Sequence, residues 1–215
     1  MTEPSVPVSY PTWLTRLSGI LSWLFHPLFL GVYMMYYIVF VHPDLFLAVP
    51  ERVRVFRFIT FVVNNLFFPL LIVMLMRWLG FSGSLQMRTP RERIVPYIAS
   101  ITFFFWTWHV FRNQADSPEV LIDMCQGMFF ASSVAIVLNN FSLVSMHAIG
   151  LGGLLGLMYN LIDRGLAESA MPMILSLMLT GLVCTSRLVL ERHTPAEIVL
   201  GLLTGLGTQW VAYLL

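Results

Sequence analysis

From Ser18 to Leu215 the chain repeats one feature, apolar runs long enough to cross a bilayer, separated by short polar stretches such as HPDLFLAVPERVR and RNQADSPE. A run of roughly 20 apolar residues spans the hydrocarbon layer as a helix. In lipid a backbone must satisfy its own hydrogen bonds, which leaves helices as the assignment. Seven such segments are read: Ser18–Val41, Phe58–Leu79, Val95–Phe111, Val120–Leu138, Ser145–Ile162, Met171–Thr185 and Pro195–Leu215. They fill the 215 residues and leave no room for a separate soluble domain. Composition agrees, with 58% hydrophobic and 11% charged residues and a mean hydropathy of +0.80, where soluble domains carry roughly 25% charged residues. The expected fold is all-α, a polytopic transmembrane helical bundle of six to seven spans. Residues 1–17 are expected to form an N-terminal interfacial segment and 18–215 a single transmembrane domain. The proline-rich start, MTEPSVPVSYPTW, is expected to be extended and to lead into an interfacial Trp13. The first apolar run is too long for a signal peptide and lacks a small-residue cleavage pattern, so a multi-pass protein of the cell (inner, cytoplasmic) membrane is expected.

A net charge of +1 gives no basic surface with which to displace counterions, which excludes a nucleic-acid partner. All twelve basic residues are arginine. Cys125 and Cys184 lie inside apolar runs and read as structural thiols; two of them make neither a disulfide framework nor a metal site. No metal or other cofactor is expected. Gly152 with Gly156, and Gly201 with Gly205, are spaced four apart, so each pair lies on one helix face and lets a neighbouring backbone approach.

With seven spans, the loops after the second, fourth and sixth share one side of the membrane. These contain MRTPRERIVP, NNFSLVSMH and SRLVLERHTPAE, the three most polar arginine- or histidine-bearing loops. The last belongs to TSRLVLERHTPAEIVLG, where Arg187, Glu191, Arg192, His193 and Glu197 crowd between two apolar runs. Thr194, Pro195 and Glu197 read as a helix start, with an N-cap, a proline at the first position and a glutamate at the third. His193 then sits just ahead of a helix N-terminus, which favours an anion. Arg187 offers a planar bidentate donor suited to phosphate. A histidine, an arginine and a free helix N-terminus describe a phosphate pocket holding a nucleophile. The plainer readings stay open: Glu197 as a capping-box residue only, Arg187 and Arg192 as snorkelling anchors, a histidine as an interface residue. A second histidine, His147 beside Ser145 at another helix start, shifts the balance, because ionisable residues at membrane depth tend to mark function. The other histidines are read as structural: His26 bonding a carbonyl freed by a Pro27 kink, His42 in a loop, His109 at the interface.

The pattern S-R-x5-H-x3-acid in SRLVLERHTPAE, preceded by S-x-H in SMH, resembles the type 2 phosphatidic acid phosphatase (PAP2) superfamily over about residues 88–215. That family carries three motifs, K-x6-R-P, P-S-G-H and S-R-x5-H-x3-D. The third is matched at Ser186, Arg187 and His193, with Glu197 where aspartate is usual. The second is matched at Ser145 and His147, with Val144 for the proline and Met146 for the glycine. In the first, Arg88 and Pro96 have the spacing of the lysine and proline, Val95 stands at the arginine position, and Arg93 lies two residues earlier. The resemblance implies that His193 is the nucleophile, Glu197 its orienter and His147 the general acid. Arg187, Ser145, Arg93 and Arg88 would bind the phosphoryl oxygens, and no metal would be needed.

The expected function is that of an integral membrane lipid phosphatase working through a phosphohistidine on a lipid phosphate or diphosphate. A phosphotransferase of the same superfamily and a catalytically silent scaffold or lipid-binding subunit are the alternatives. The expected partners are a lipid phosphate substrate and membrane lipids. By span parity, Arg16, Arg77, Arg88, Arg91, Arg93, Arg187 and Arg192 share the motif side, and Arg52, Arg54, Arg57, Arg112 and Arg164 lie opposite. With Arg88, Arg91, Arg93 and Arg187 assigned to phosphate, the remaining three against five place the motif side outside the cytoplasm.

Overall fold

Prolines and short polar caps decide where the helices of this chain begin. The structure, a computed structural model, describes residues 10–47, 49–80 and 90–215, with the backbone alone at Pro90. Helices α1 (Thr12–Leu24) and α2 (Pro27–Tyr36) are followed by α3 (Glu51–Val62), α4 (Phe68–Trp78), α5 (Pro90–Arg112), α6 (Glu119–Leu138), α7 (Met146–Asp163), α8 (Met171–Val189) and α9 (Pro195–Leu214), with no strand among the described residues. Proline opens α2, α5 and α9 at a position whose N–H has no helical partner in any case. It immediately precedes α1, α3 and α6.

Five helical stretches among the described residues are long and apolar enough to cross a membrane: Glu51–Trp78, Arg91–Arg112, Glu119–Leu138, Met171–Val189 and Pro195–Leu214. The pair Thr12–Leu24 and Pro27–Val41, bent by 56°, makes a sixth if it is one broken span. The chain is therefore consistent with a multi-pass membrane protein of five to six spans. The segment expected as the fifth span is helical but is not among these. In α7, His147, Asn160, Asp163 and four glycines dilute the apolar character. This helix is encased by its neighbours instead, with ten of its eighteen residues buried. By contrast Ile174, Leu175, Leu177, Met178 and Leu182 of α8 are exposed, as on a face that meets lipid. Several ends also move. Helix α1 starts at Thr12 and so includes Trp13, where an extended stretch was expected, and α8 continues to Val189 rather than Thr185.

Two breaks have local causes. Pro69 has no N–H for the carbonyl of Asn65, and the ladder widens there into a π turn over Val63–Phe67 that joins α3 to α4. The buried Asn65 donates from Nδ2 to the Phe61 carbonyl and to the Thr107 hydroxyl, both at 2.9 Å, which ties this bend to α5. The second break lies between α1 and α2. Pro27 cannot donate, His26 N–H turns to the carbonyl of Trp23 at 3.3 Å, and the carbonyl of Ser22 is released from the helix.

Helices α7 and α9 run parallel and in close contact. A Cβ placed on Gly205 would lie 1.9 Å from the carbonyl oxygen of Ile149, and one on Gly152 would lie 2.2 Å from that of Leu202. Both glycine pairs therefore serve close helix packing. Leucine, methionine and aromatic side chains around Met35, Phe61, Phe111, Leu121, Met124 and Leu157 fill the core between α2, α3, α5, α6 and α7. At the end where α6 begins and α7 finishes, Arg164 pairs with Glu119 and, at 2.6 Å, with Asp123, and its guanidinium lies 4.8 Å from the Tyr213 ring centre. These contacts join α6, α7 and α9 beside a cavity of about 580 Å³. The chain then alternates, so α5, α7 and α9 begin at the other end, and α6 and α8 finish there.

Candidate phosphate site

At that other end four helix termini and the α1–α2 break meet. Helix α8 closes with a Schellman turn: the N–H groups of Glu191 and Arg192 bond the carbonyls of Leu188 and Arg187 at 2.9 and 3.2 Å. Glu191 takes the left-handed position usually held by glycine, with φ of 50°. This turn brings Arg187, in the last turn of α8, and His193, just past it, to the start of α9.

Helix α9 opens with a complete capping box. Glu197 N–H donates to Thr194 Oγ1 at 3.3 Å, and Thr194 N–H donates to Glu197 Oε2 at 2.9 Å. The same Oε2 lies 3.3 Å from Nδ1 of His193. One oxygen therefore performs the capping role and meets the histidine, so the two readings of Glu197 are not exclusive. The His193 side chain is 3% exposed. Burial, then the charges of Arg187 and Arg93, push its imidazole below the ordinary range, against the pull of Glu197. A neutral ring with Nδ1–H on the carboxylate leaves Nε2 with its lone pair free.

Ser145 caps α7, its Oγ accepting from Ala148 N–H at 3.4 Å, while its own N–H donates to the Glu197 carbonyl at 3.4 Å. The starts of α7 and α9 are thus joined directly. His147, in the first turn of α7, is buried and its Nε2–H donates to the freed Ser22 carbonyl at 2.9 Å. The Ser22 hydroxyl accepts from Arg187 at 3.3 Å, so one residue of α1 holds two of the predicted site residues. Arg93 is buried and donates to the Val144 carbonyl at 3.2 Å. Val95, at the family's arginine position, is 42% exposed and faces away. Arg88 lies outside the described residues.

Ser145, His147, Arg187, His193, Glu197 and Arg93 are therefore gathered at one end of the bundle. His147 and His193 both feel the charge of Arg187, and His193 also that of Arg93. The charges that act on Arg187 itself are those of Arg192 and Arg93, and its Nε–H is buried with no partner among the described residues. Buried Arg93, half-buried Arg187 and exposed Arg192 thus bring positive charge to this end of the bundle, where an anion would be favoured. Among the described residues no cluster of histidine, cysteine, aspartate and glutamate is arranged to hold a metal ion.

His26 departs from its sequence reading. It does not bond a freed carbonyl; its Nδ1 accepts from Leu28 N–H at 3.4 Å and caps α2, and its ring centre lies 5.5 Å from that of His147. The available signal was the His-Pro pair inside an apolar run, read only as a kink. His42 bonds the Tyr37 hydroxyl at 2.8 Å, and His109 stacks on Phe105 in the last turn of α5; both lie at helix ends remote from His193. Set against models of known families, curated proteins and solved structures, the chain matches none.

Proposed function

We propose that the chain is an integral membrane lipid phosphatase that acts on a lipid phosphate or diphosphate through a phosphohistidine, in the manner of the type 2 phosphatidic acid phosphatases. The observation that carries this reading is the buried Nε–H of Arg187, without a partner among the described residues, at the same end of the bundle as a His193 whose Nδ1 rests on Glu197. Nε2 of His193 attacks phosphorus as the bond to the lipid oxygen breaks. Glu197 stabilises the positive charge that the imidazole acquires. Arg187, Arg93 and Ser145 bind the phosphoryl oxygens, whose charge they offset in the transition state. With Nε2–H of His147 held by the Ser22 carbonyl, the ring protonates the leaving oxygen from Nδ1 once it has taken up a second proton as the imidazolium, a state that the charge of the bound phosphoryl group favours. Water then attacks the phosphohistidine, giving its proton back to His147 and releasing phosphate. A covalent step of this kind replaces one difficult displacement by two easier ones.

The test is inorganic phosphate release by the detergent-purified full chain from a set of lipid monophosphates and diphosphates. Wild type should release phosphate from at least one of them. His193→Ala should lose several orders of magnitude of activity at unchanged expression, and His147→Ala about 10²–10⁴-fold, with a lower thermal midpoint because the Ser22 carbonyl loses its donor. A wild-type chain that hydrolyses none of the set supports the silent-scaffold reading instead.

A further inference from the structure

We propose that His26 is a third imidazole of this site, a hydrogen-bond donor to the bound phosphoryl group, placed there by the break between α1 and α2. The inference rests on the phosphatase reading and adds a residue that none of the three motifs contains. Its first support is the geometry of the break. Helix α1 ends 56° off the direction of α2, and there His26 comes edge-on to His147, with centroids 5.5 Å apart and rings at 81°. The same break supplies the Ser22 carbonyl for His147 and the Ser22 hydroxyl for Arg187, so it is built into the site and does not merely lie near it. His26 itself is within electrostatic reach of Arg187.

The second support is the tautomer. Nδ1 of His26 accepts the N–H of Leu28, which puts the proton of the neutral ring on Nε2. No group among the described residues takes that proton. Histidine is not a favoured cap; serine, threonine, asparagine and aspartate satisfy a helix start better. The cap accounts for one nitrogen of His26 and leaves a fixed donor on the other, near the half-buried Arg187 and beside a second imidazole. A phosphoryl or leaving-group oxygen is the acceptor that suits it.

Orthovanadate, which adopts the geometry of a phosphoryl group in transfer, is the probe. In His26→Asn the amide oxygen can stand where Nδ1 stands and keep the cap, while nothing stands at Nε2. The full chain with His26→Asn should keep the thermal midpoint of wild type and bind vanadate about 10- to 100-fold more weakly, the worth of one hydrogen bond to a charged group. A His26→Asn variant that binds vanadate as tightly as wild type makes the residue a cap only and overturns the proposal. Histidine-labelled NMR on wild type removes any dependence on the variant's folding. The His26 Nε2 resonance should move on adding vanadate, and a resonance that stays in place also overturns it. A wild-type chain that neither binds vanadate nor releases phosphate defeats the phosphatase reading and this one with it; binding in wild type with His26→Asn unchanged defeats this one alone.

Discussion

Oε2 of Glu197 meets two donors, Thr194 N–H and His193 Nδ1, and a single substitution separates what each contact does. Glutamine keeps an oxygen for the cap but loses the charge that offsets the imidazolium. Glu197→Gln should hold thermal stability near wild type while turnover falls on the order of 10²–10⁴-fold. The pH profile gives an independent reading. His193 must be neutral to attack, and its environment holds it below the usual range, so the acid limb of kcat/KM should lie below about 6.5. Removing the Glu197 charge removes an influence that raises that value, and the acid limb of the variant should move to still lower pH. For stability the sign is the same: an unfolded chain binds this proton more readily, so His193 costs stability as pH falls below about 6.5. An acid limb that shifts upward in Glu197→Gln contradicts the contact. At this scale the cluster around His193 was legible, because Ser186, Arg187, His193 and Glu197 lie within twelve residues of sequence. The bond from His147 to Ser22 spans 125 positions and has no local signal. The place of His26 beside His147 has none for the same reason, since its partner in space is on another helix.

Helices α7 and α9 are held so closely by their glycines that the distance between His147 and His193 depends on them. A methyl at Gly205 would meet the carbonyl of Ile149 at 1.9 Å and the nitrogen of Gly153 at 2.7 Å, all backbone, so one helix must move. Gly205→Ala should cost about 1–3 kcal/mol or more of stability and reduce activity with it. Gly207→Ala, on the same helix with open space around it, is the control and should be neutral or slightly stabilising. Thermal midpoints of the two variants in one detergent decide the matter; equal midpoints would deny that the interface is this tight. The i, i+4 glycine spacing showed these faces in the sequence. Helix starts were less legible. Helix α5 begins at Pro90, ahead of its apolar run, so Arg93 falls inside the helix and faces the site where the spacing of the family motif pointed to Val95. Hydropathy likewise marked α7 as one span among seven, although polar residues and glycines suit it to the protein-lined centre of the bundle.

For the whole molecule, the alternation of α5 to α9 places the site at one end and the Arg164 network at the other. If Arg88, Arg91, Arg93 and Arg187 serve phosphate, the remaining arginines stand three against five, and the expected orientation has the site end outside the cytoplasm. Thr194→Cys should then react with a membrane-impermeant thiol reagent in intact cells whose outer envelope, where present, has been permeabilised. Labelling only after the cytoplasmic membrane is opened would reverse the orientation and leave the chemistry as it stands. The most direct measurement is a trap of the covalent intermediate. The purified chain is mixed with a hydrolysable lipid phosphate, quenched in alkali during turnover, digested and analysed by mass spectrometry. A phosphoryl group should be found on His193 and should be absent from His193→Ala. Phosphate release at the wild-type rate with no phosphoryl group on His193, or from His193→Ala, would contradict the mechanism.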